Sequence, residues 1–114
     1  MDVYAKNMYL PISPQKLRLV CDQVRGMDAE DALTVLEFMP QKGAHFVQKT
    51  VASALANAAN NFELNTENLI ISQIYAGEGP RQKRYKAGAR GRYKPRVKRS
   101  SHLWVILAER EEEV

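Results

Sequence analysis

The sequence predicts a fold of the α+β class: one strand, then three consecutive helices, then two strands that flank a strongly basic segment. Apolar residues at helical spacing predict the helices, and short segments rich in Ile, Val and Tyr predict the strands. The 114 residues are expected to form one domain. Within it, residues 1–80 and 100–110 form a globular body and residues 81–99 an extended basic hairpin.

The first strand and the first helix are predicted from Val3 to Gly26. Loose alternation from Val3 to Leu10 indicates a short strand. Ser13 and Pro14 begin a helix, because Ser can cap free amide groups and Pro tolerates the first helical position. Gly26 is a plausible stop. Four apolar residues define its buried side: Leu17, Val20, Cys21 and Val24.

Two more helices are expected before residue 61. Asp28 begins the second, with acidic residues in its first turn, and Pro40 ends it. Its apolar side consists of Leu33, Leu36 and Met39. The third helix, from about residue 41 to 60, is rich in Ala, which indicates close approach to another element.

The second half of the chain is predicted to contain two strands, at residues 69–76 and 102–108. In the last strand, Leu103, Val105 and Leu107 share one face and Trp104 and Ile106 the other. We expect Trp104 to be a core residue rather than a platform for a ligand. Two strands joined by a connection that returns on itself usually pair antiparallel, so residues 81–99 would be the far end of a hairpin.

The charge of the chain is strongly polarised. Ten of its seventeen Lys and Arg residues lie in 81–99, which contains no acidic residue. The other 95 residues carry seven basic and thirteen acidic side chains, so a net charge of +4 hides an acidic body with a cationic arm. Nucleic acid is the favoured partner, because neutralising phosphates releases counterions. Tyr85 and Tyr93 could stack on bases or merely stiffen the hairpin.

Other function classes are disfavoured. We expect no catalytic residue, no metal site and no cofactor, because His45 and His102 have no local partner at ligand or triad spacing. His45 is expected on a helix surface and His102 at a strand start. The single Cys21 and the absence of a long apolar stretch predict a cytoplasmic protein without a membrane partner.

Several short motifs, in order and at matching spacing, resemble the bacterial form of the universal large-subunit ribosomal protein family numbered twenty-two. The resemblance runs from about residue 3 to 107. It is carried by residues 13–20 with Arg25-Gly26, by residues 54–58 with Asn61, and by motifs around the arm. These are Glu78-Gly79-Pro80, Lys83-Arg84, Arg90-Gly91-Arg92, and Lys98-Arg99-Ser100-Ser101-His102.

This resemblance implies three helices packed on a small three-stranded antiparallel sheet, with a long basic β-hairpin. It implies a structural, non-enzymatic constituent of the large ribosomal subunit that organises rRNA during assembly. Its partners would be large-subunit rRNA, neighbouring ribosomal proteins and the nascent peptide, with the protein a monomer within the subunit. The rRNA-binding residues would be Lys16, Arg18, Arg25, Arg81, Lys83, Arg84, Lys86, Arg90, Arg92, Lys94, Arg96, Lys98, Arg99 and Ser100.

The resemblance also implies that the distal hairpin lines the nascent-peptide exit tunnel. The residues near the tunnel would be Lys83, Arg84, Tyr85, Ala87, Gly88, Ala89, Arg90, Gly91 and Arg92. Here Ala87-Gly88 stand where the family usually has Pro-Arg, which removes a rigid residue and a cation. An alternative function is an architectural DNA-binding protein that uses the hairpin as a minor-groove arm. The distal arm lacks the apolar wedge such proteins carry.

Overall fold

The computed structural model describes residues 2–79, 82–87, 93–98 and 100–109, with backbone alone in the two middle segments. The elements, in chain order, are β1 (Asp2–Leu10), α1 (Pro14–Val24), α2 (Ala29–Glu37), α3 (Lys42–Asn61), β2 (Leu69–Glu78), β3 (Gln82–Ala87), β4 (Tyr93–Lys98) and β5 (Ser101–Glu109). A short 3-10 helix, Thr66–Asn68, precedes β2. The α+β class and all three helices are confirmed, with element ends shifted by one to three residues.

One expected detail of the first helix is wrong. The side chain of Ser13 makes no capping hydrogen bond, and only its backbone carbonyl accepts, from the amide of Leu17 at 3.2 Å. A capping side chain would accept from the amide of the second or third helical residue, and the hydroxyl of Ser13 accepts from neither. The helix start is therefore set by Pro14 and by backbone geometry.

The body contains a three-stranded antiparallel sheet in the order β1-β5-β2. The helices pack on one face of this sheet, as the resemblance implied. Leu103, Val105 and Leu107 point from the central strand into the core and are fully buried, which confirms the predicted alternation. Helix α1 contributes Leu17, Val20, Cys21 and Val24, and α3 contributes Val47, Val51, Ala54, Leu55 and Ala58.

The turn between α1 and α2 extends the sheet on the free edge of β2. The amide of Gly26 donates to the carbonyl of Ile71 at 3.0 Å, and the amide of Ile71 donates to the carbonyl of Met27 at 2.9 Å. Gly26 has a φ of +82°, a backbone conformation that residues other than glycine rarely adopt. The glycine predicted as a helix stop therefore also lets the chain turn onto the edge of the sheet.

Cys21 lies on the buried side of α1 with no exposed surface, as the sequence predicted. Burial raises the pKa of its thiol to about 11, because a thiolate would lose its hydration there. The thiolate is the reactive form of cysteine, so the native protein keeps this thiol inert.

We expect iodoacetamide to leave Cys21 unmodified in the native protein at about pH 8 and to modify it once urea unfolds the chain. The contribution of this thiol to the free energy of unfolding should be complete below its ordinary pKa of 9.0. It should be lost as pH rises towards about 11, because the thiol ionises more readily in the unfolded chain. Mass spectrometry of alkylated peptides measures the reaction. Rapid labelling without denaturant would show that α1 opens readily.

Candidate nucleic-acid interface

The basic segment forms a two-stranded antiparallel sheet of its own. Strand β3 pairs with β4 from Gln82↔Lys98 to Ala87↔Tyr93. The antiparallel arrangement confirms the predicted hairpin, and residues 88–92 connect its strands. The turn predicted near Gly88 and Gly91 lies outside the described residues, as do Ala89, Arg90 and Arg92 of the expected tunnel-proximal set.

The register of the hairpin places like charges directly opposite each other. Arg84 pairs with Arg96, and Lys86 pairs with Lys94. Because alternate residues of a strand share a face, these four positions and Lys98 lie on one face of the ribbon. Like charges directly opposite each other on neighbouring strands are destabilising. From this register we expect repulsion between the paired cations, which a bound polyanion would remove.

The opposite face of the ribbon has a different composition. Its cross-strand pairs are Lys83↔Val97, Tyr85↔Pro95 and Ala87↔Tyr93. The two tyrosine positions and Lys83 thus share a face with small and apolar residues, away from the paired cations. Most cations of the described strands therefore share one face of the ribbon, and Lys83 is the single cation among the described positions of the other.

The hairpin joins the body through Gly79 and Ser100. The amide of Gly79 donates to the carbonyl of Ser100 at 2.9 Å, which continues the β2–β5 pairing beyond the ends of both strands. A Cβ at residue 79 would lie 2.5 Å from Oγ and 3.2 Å from the carbonyl carbon of Ser100. Gly79 therefore allows the two chains to approach closely where they leave the body. Arg81 and Arg99 lie outside the described residues.

Two arginines of the expected rRNA-binding set hold the free edge of β2. Nε of Arg18 donates to the carbonyl of Ala76 at 3.1 Å, and an Nη of Arg25 donates to the carbonyl of Ile74 at 2.8 Å. The other Nη of Arg25 contacts Asp22 at 2.7 Å. Such unpaired strand edges invite wrong pairing unless they are covered. Contact of these residues with RNA stays a prediction, as it does for the exposed Lys16.

The expectation that Trp104 is a core residue is wrong. Trp104 is half-buried and lies on the sheet face away from the helices, where its ring stacks on Tyr75 with 5.1 Å between centroids. No helix of the described residues covers that face, so a tryptophan there is shielded by its neighbours alone. The alternation of Tyr4 with Val3, and of Tyr75 with Ile74, was the sequence signal for this aromatic surface.

The two histidines lie where the sequence predicted. His45 is exposed on α3, and Nδ1 of His102 accepts the backbone amide of Tyr9 at 3.0 Å near the start of β5. Among the described residues, no group of three His, Cys, Asp or Glu side chains could hold a metal ion. The described helices include none with the length and hydropathy to cross a bilayer.

The chain is closely similar to known proteins over almost its whole length. The model of a family described as ribosomal protein L22p/L17e matches residues 5–108. The large ribosomal subunit protein uL22 of Finegoldia magna is 44% identical over 111 residues, which cover 97% of this chain and 99% of that protein. The uL22 proteins of Carboxydothermus hydrogenoformans and Syntrophobacter fumaroxidans are 42% and 44% identical, over 98% and 96% of this chain and 99% and 100% of theirs.

We expect Arg18→Met to lower the free energy of unfolding by about 0.5–1.5 kcal/mol, because it removes the hydrogen bond to Ala76 and keeps the apolar stem. Urea denaturation measures this change. Lys16→Met, at an exposed position of the same helix, is the matched control and should stay within about 0.5 kcal/mol of the wild type. Equal losses in both variants would contradict a specific role for Arg18 at the edge of β2.

Proposed function

This chain belongs to the ribosomal protein L22p/L17e family, and we propose that it is a structural constituent of the large ribosomal subunit that organises rRNA. The family is a structural one and not a family of enzymes. Ribosomal partners and a location on cytoplasmic ribosomes follow from the identity of the relatives, which are all named as large-subunit proteins. None of these three is named as a DNA-binding protein, so the minor-groove alternative gains no support from them.

The observation that carries this proposal is the cross-strand pairing of like charges in the hairpin. Arg84↔Arg96 and Lys86↔Lys94 stand in register with no acidic residue on either strand. A two-stranded ribbon is marginally stable alone, and this one also repels itself. Phosphates bound along the face that carries these pairs would replace the repulsion by attraction. Binding and ordering of the hairpin are therefore coupled in our proposal.

The chemistry of the cations suits folded RNA. Arginine presents a planar fork that can bind a phosphate through two hydrogen bonds, whereas lysine acts as a point charge. Both are present on each strand of the hairpin. Because RNA helices expose backbone and shape more than base edges, we propose recognition of phosphates and folded form rather than of sequence. The residues proposed to bind rRNA are the fourteen that the resemblance implies.

We propose that the body fixes the point from which the hairpin leaves. Strands β2 and β5 pair through Glu78↔Ser101, and the Gly79–Ser100 hydrogen bond extends that pairing to the base of the hairpin. Arg18 and Arg25 fix β2 to α1 on its other side. A sheet held on both sides gives the hairpin a fixed origin. In our proposal the subunit contains a single copy of the protein. The body of this copy contacts neighbouring ribosomal proteins.

We further propose that residues 83–85 and 87–92 reach the nascent-peptide tunnel. Supporting this, the residues between the paired strands include Gly88, Ala89 and Gly91, whose small size would keep the tip thin in a narrow space. The replacement of the usual Pro-Arg by Ala87-Gly88 makes the tip of this chain less charged than is common in the family. Any contact with the nascent peptide would accordingly depend more on backbone and less on charge.

Replacing Lys83, Arg84, Arg90 and Arg92 together by Ala should flatten the salt dependence of rRNA binding by about 3 units of log–log slope, at about 0.7–0.9 for each phosphate that the variant no longer neutralises. Filter binding over a series of salt concentrations measures the slope. A variant with Lys42 and Lys49 of α3 replaced by Ala is the control, since these lysines belong to the body. An unchanged slope in the arm variant, or an equal fall per cation in the control, would contradict the proposal.

A further inference from the structure

The outer face of the β1-β5-β2 sheet carries a row of side chains that the hairpin mechanism does not use. Lys6 pairs with Trp104, and Trp104 pairs with Tyr75, so one row crosses all three strands. Their neighbours Ala5, Val105 and Ile74 face the helices, which places the row on the opposite side of the sheet. A cation, an indole and a phenol therefore lie side by side on an open face.

The aromatic members of this row are held in a defined arrangement. The rings of Trp104 and Tyr75 are stacked at an interplanar angle of 22°. His102 packs edge-on against the indole at 5.9 Å. A Cβ at residue 77 would lie 2.8 Å from Cζ3 of Trp104, so Gly77 provides the space that the indole occupies. The ring pair is preorganised by the backbone around it.

A cleft large enough for a planar ligand adjoins this row. Its volume is about 480 Å³, and its lining combines Tyr4, Lys6, Tyr75, Trp104 and Ile106 with Ala5 of β1, Val105 of β5, and Ser53 and Asn57 of α3. This volume falls within the range of about 300–1,000 Å³ that is typical of ligand clefts. Tyr4 is 64% exposed and Tyr75 46% exposed, so much of the aromatic surface faces solvent. Ile106 lies on this face and is buried, although it does not belong to the core under the helices.

We propose that this face binds an unpaired RNA nucleotide, whose base extends the Tyr75–Trp104 stack and whose phosphate contacts Lys6. The proposal rests on the ribosomal function above and adds a second RNA surface to it. Aromatic side chains on an open antiparallel sheet are a recurring platform for single-stranded bases. The ammonium of Lys6 gives the charge complementarity that an apolar protein partner would not need.

The position of the row in the fold also favours RNA. Strands β2 and β5 run from Tyr75 and Trp104 directly to the base of the basic hairpin, three to four residues away. An RNA segment bound at the base of the hairpin would thus lie close to the aromatic row.

Trp104 is the only tryptophan of the chain, so its fluorescence reports on this face alone. The full-length protein is titrated at low salt with a short single-stranded RNA, and separately with a duplex RNA of equal phosphate number. Base stacking should quench the indole fluorescence with the single strand and leave it nearly unchanged with the duplex, in which the bases are already stacked. Equal quenching by both would overturn the proposal, since phosphate contact alone would then explain it.

Variants identify the residues that carry the effect. Tyr75→Leu keeps apolar bulk and removes the stacking ring, and it should weaken single-strand binding about five- to a hundredfold without changing the salt slope. Gly77→Ala, which displaces the indole, should act in the same direction. The matched control is Phe38→Leu, because Phe38 is an aromatic residue 79% exposed on the helical layer, and its affinity should equal that of the wild type.

The outcomes separate this proposal from the ribosomal one. Wild-type affinity in Tyr75→Leu, together with weak binding by the arm variant, would overturn the sheet site and leave the hairpin mechanism intact. Failure of the wild type to bind any RNA would overturn both. Quenching that depends on protein concentration in the absence of RNA would assign the face to a second copy of the chain, and so would also overturn the sheet site.

Discussion

The antiparallel pairing of β2 with β5 is the constraint on which the other features depend. It places Ile74 and Val105 opposite each other in the core and, one residue later, Tyr75 and Trp104 on the outer face. Past the Glu78–Ser101 pair, the sequence leads from β2 into β3 and from β4 into β5. Slipping the register by one residue would exchange the two faces and would carry the aromatic row into the core. One set of backbone hydrogen bonds thus positions the core, the outer face and the arm.

Two arginines of the expected rRNA-binding set, Arg18 and Arg25, also protect this pairing. β2 lies at the edge of the sheet, and its outer carbonyl groups are bonded by Arg18, Arg25 and the amide of Gly26. Burying or covering backbone groups in this way prevents the edge from pairing with other chains. An arginine can bind a carbonyl through one nitrogen and a phosphate through another, since it has five N–H donors. Structural and RNA-binding roles are therefore compatible at both positions.

Much of the fold could be predicted from the sequence because local patterns determine it. Helical periodicity identified the buried side of α1, and the alternation of Leu103, Val105 and Leu107 identified the inner face of β5. The environment of Trp104 was predicted wrongly because alternation separates two faces without saying which neighbours cover the outer one. The roles of Arg18 and Arg25 at the edge of β2 depend on hydrogen bonds to residues 58 and 49 positions away, which spacing within a helix does not show.

The central claim is that the chain is an integral part of the large ribosomal subunit. The most direct test follows the tagged full-length protein when cell extract is sedimented through a high-salt gradient. The account predicts that the protein migrates with the large subunit after the salt wash. Its recovery free at the top of the gradient, or with the DNA pellet, would contradict the account.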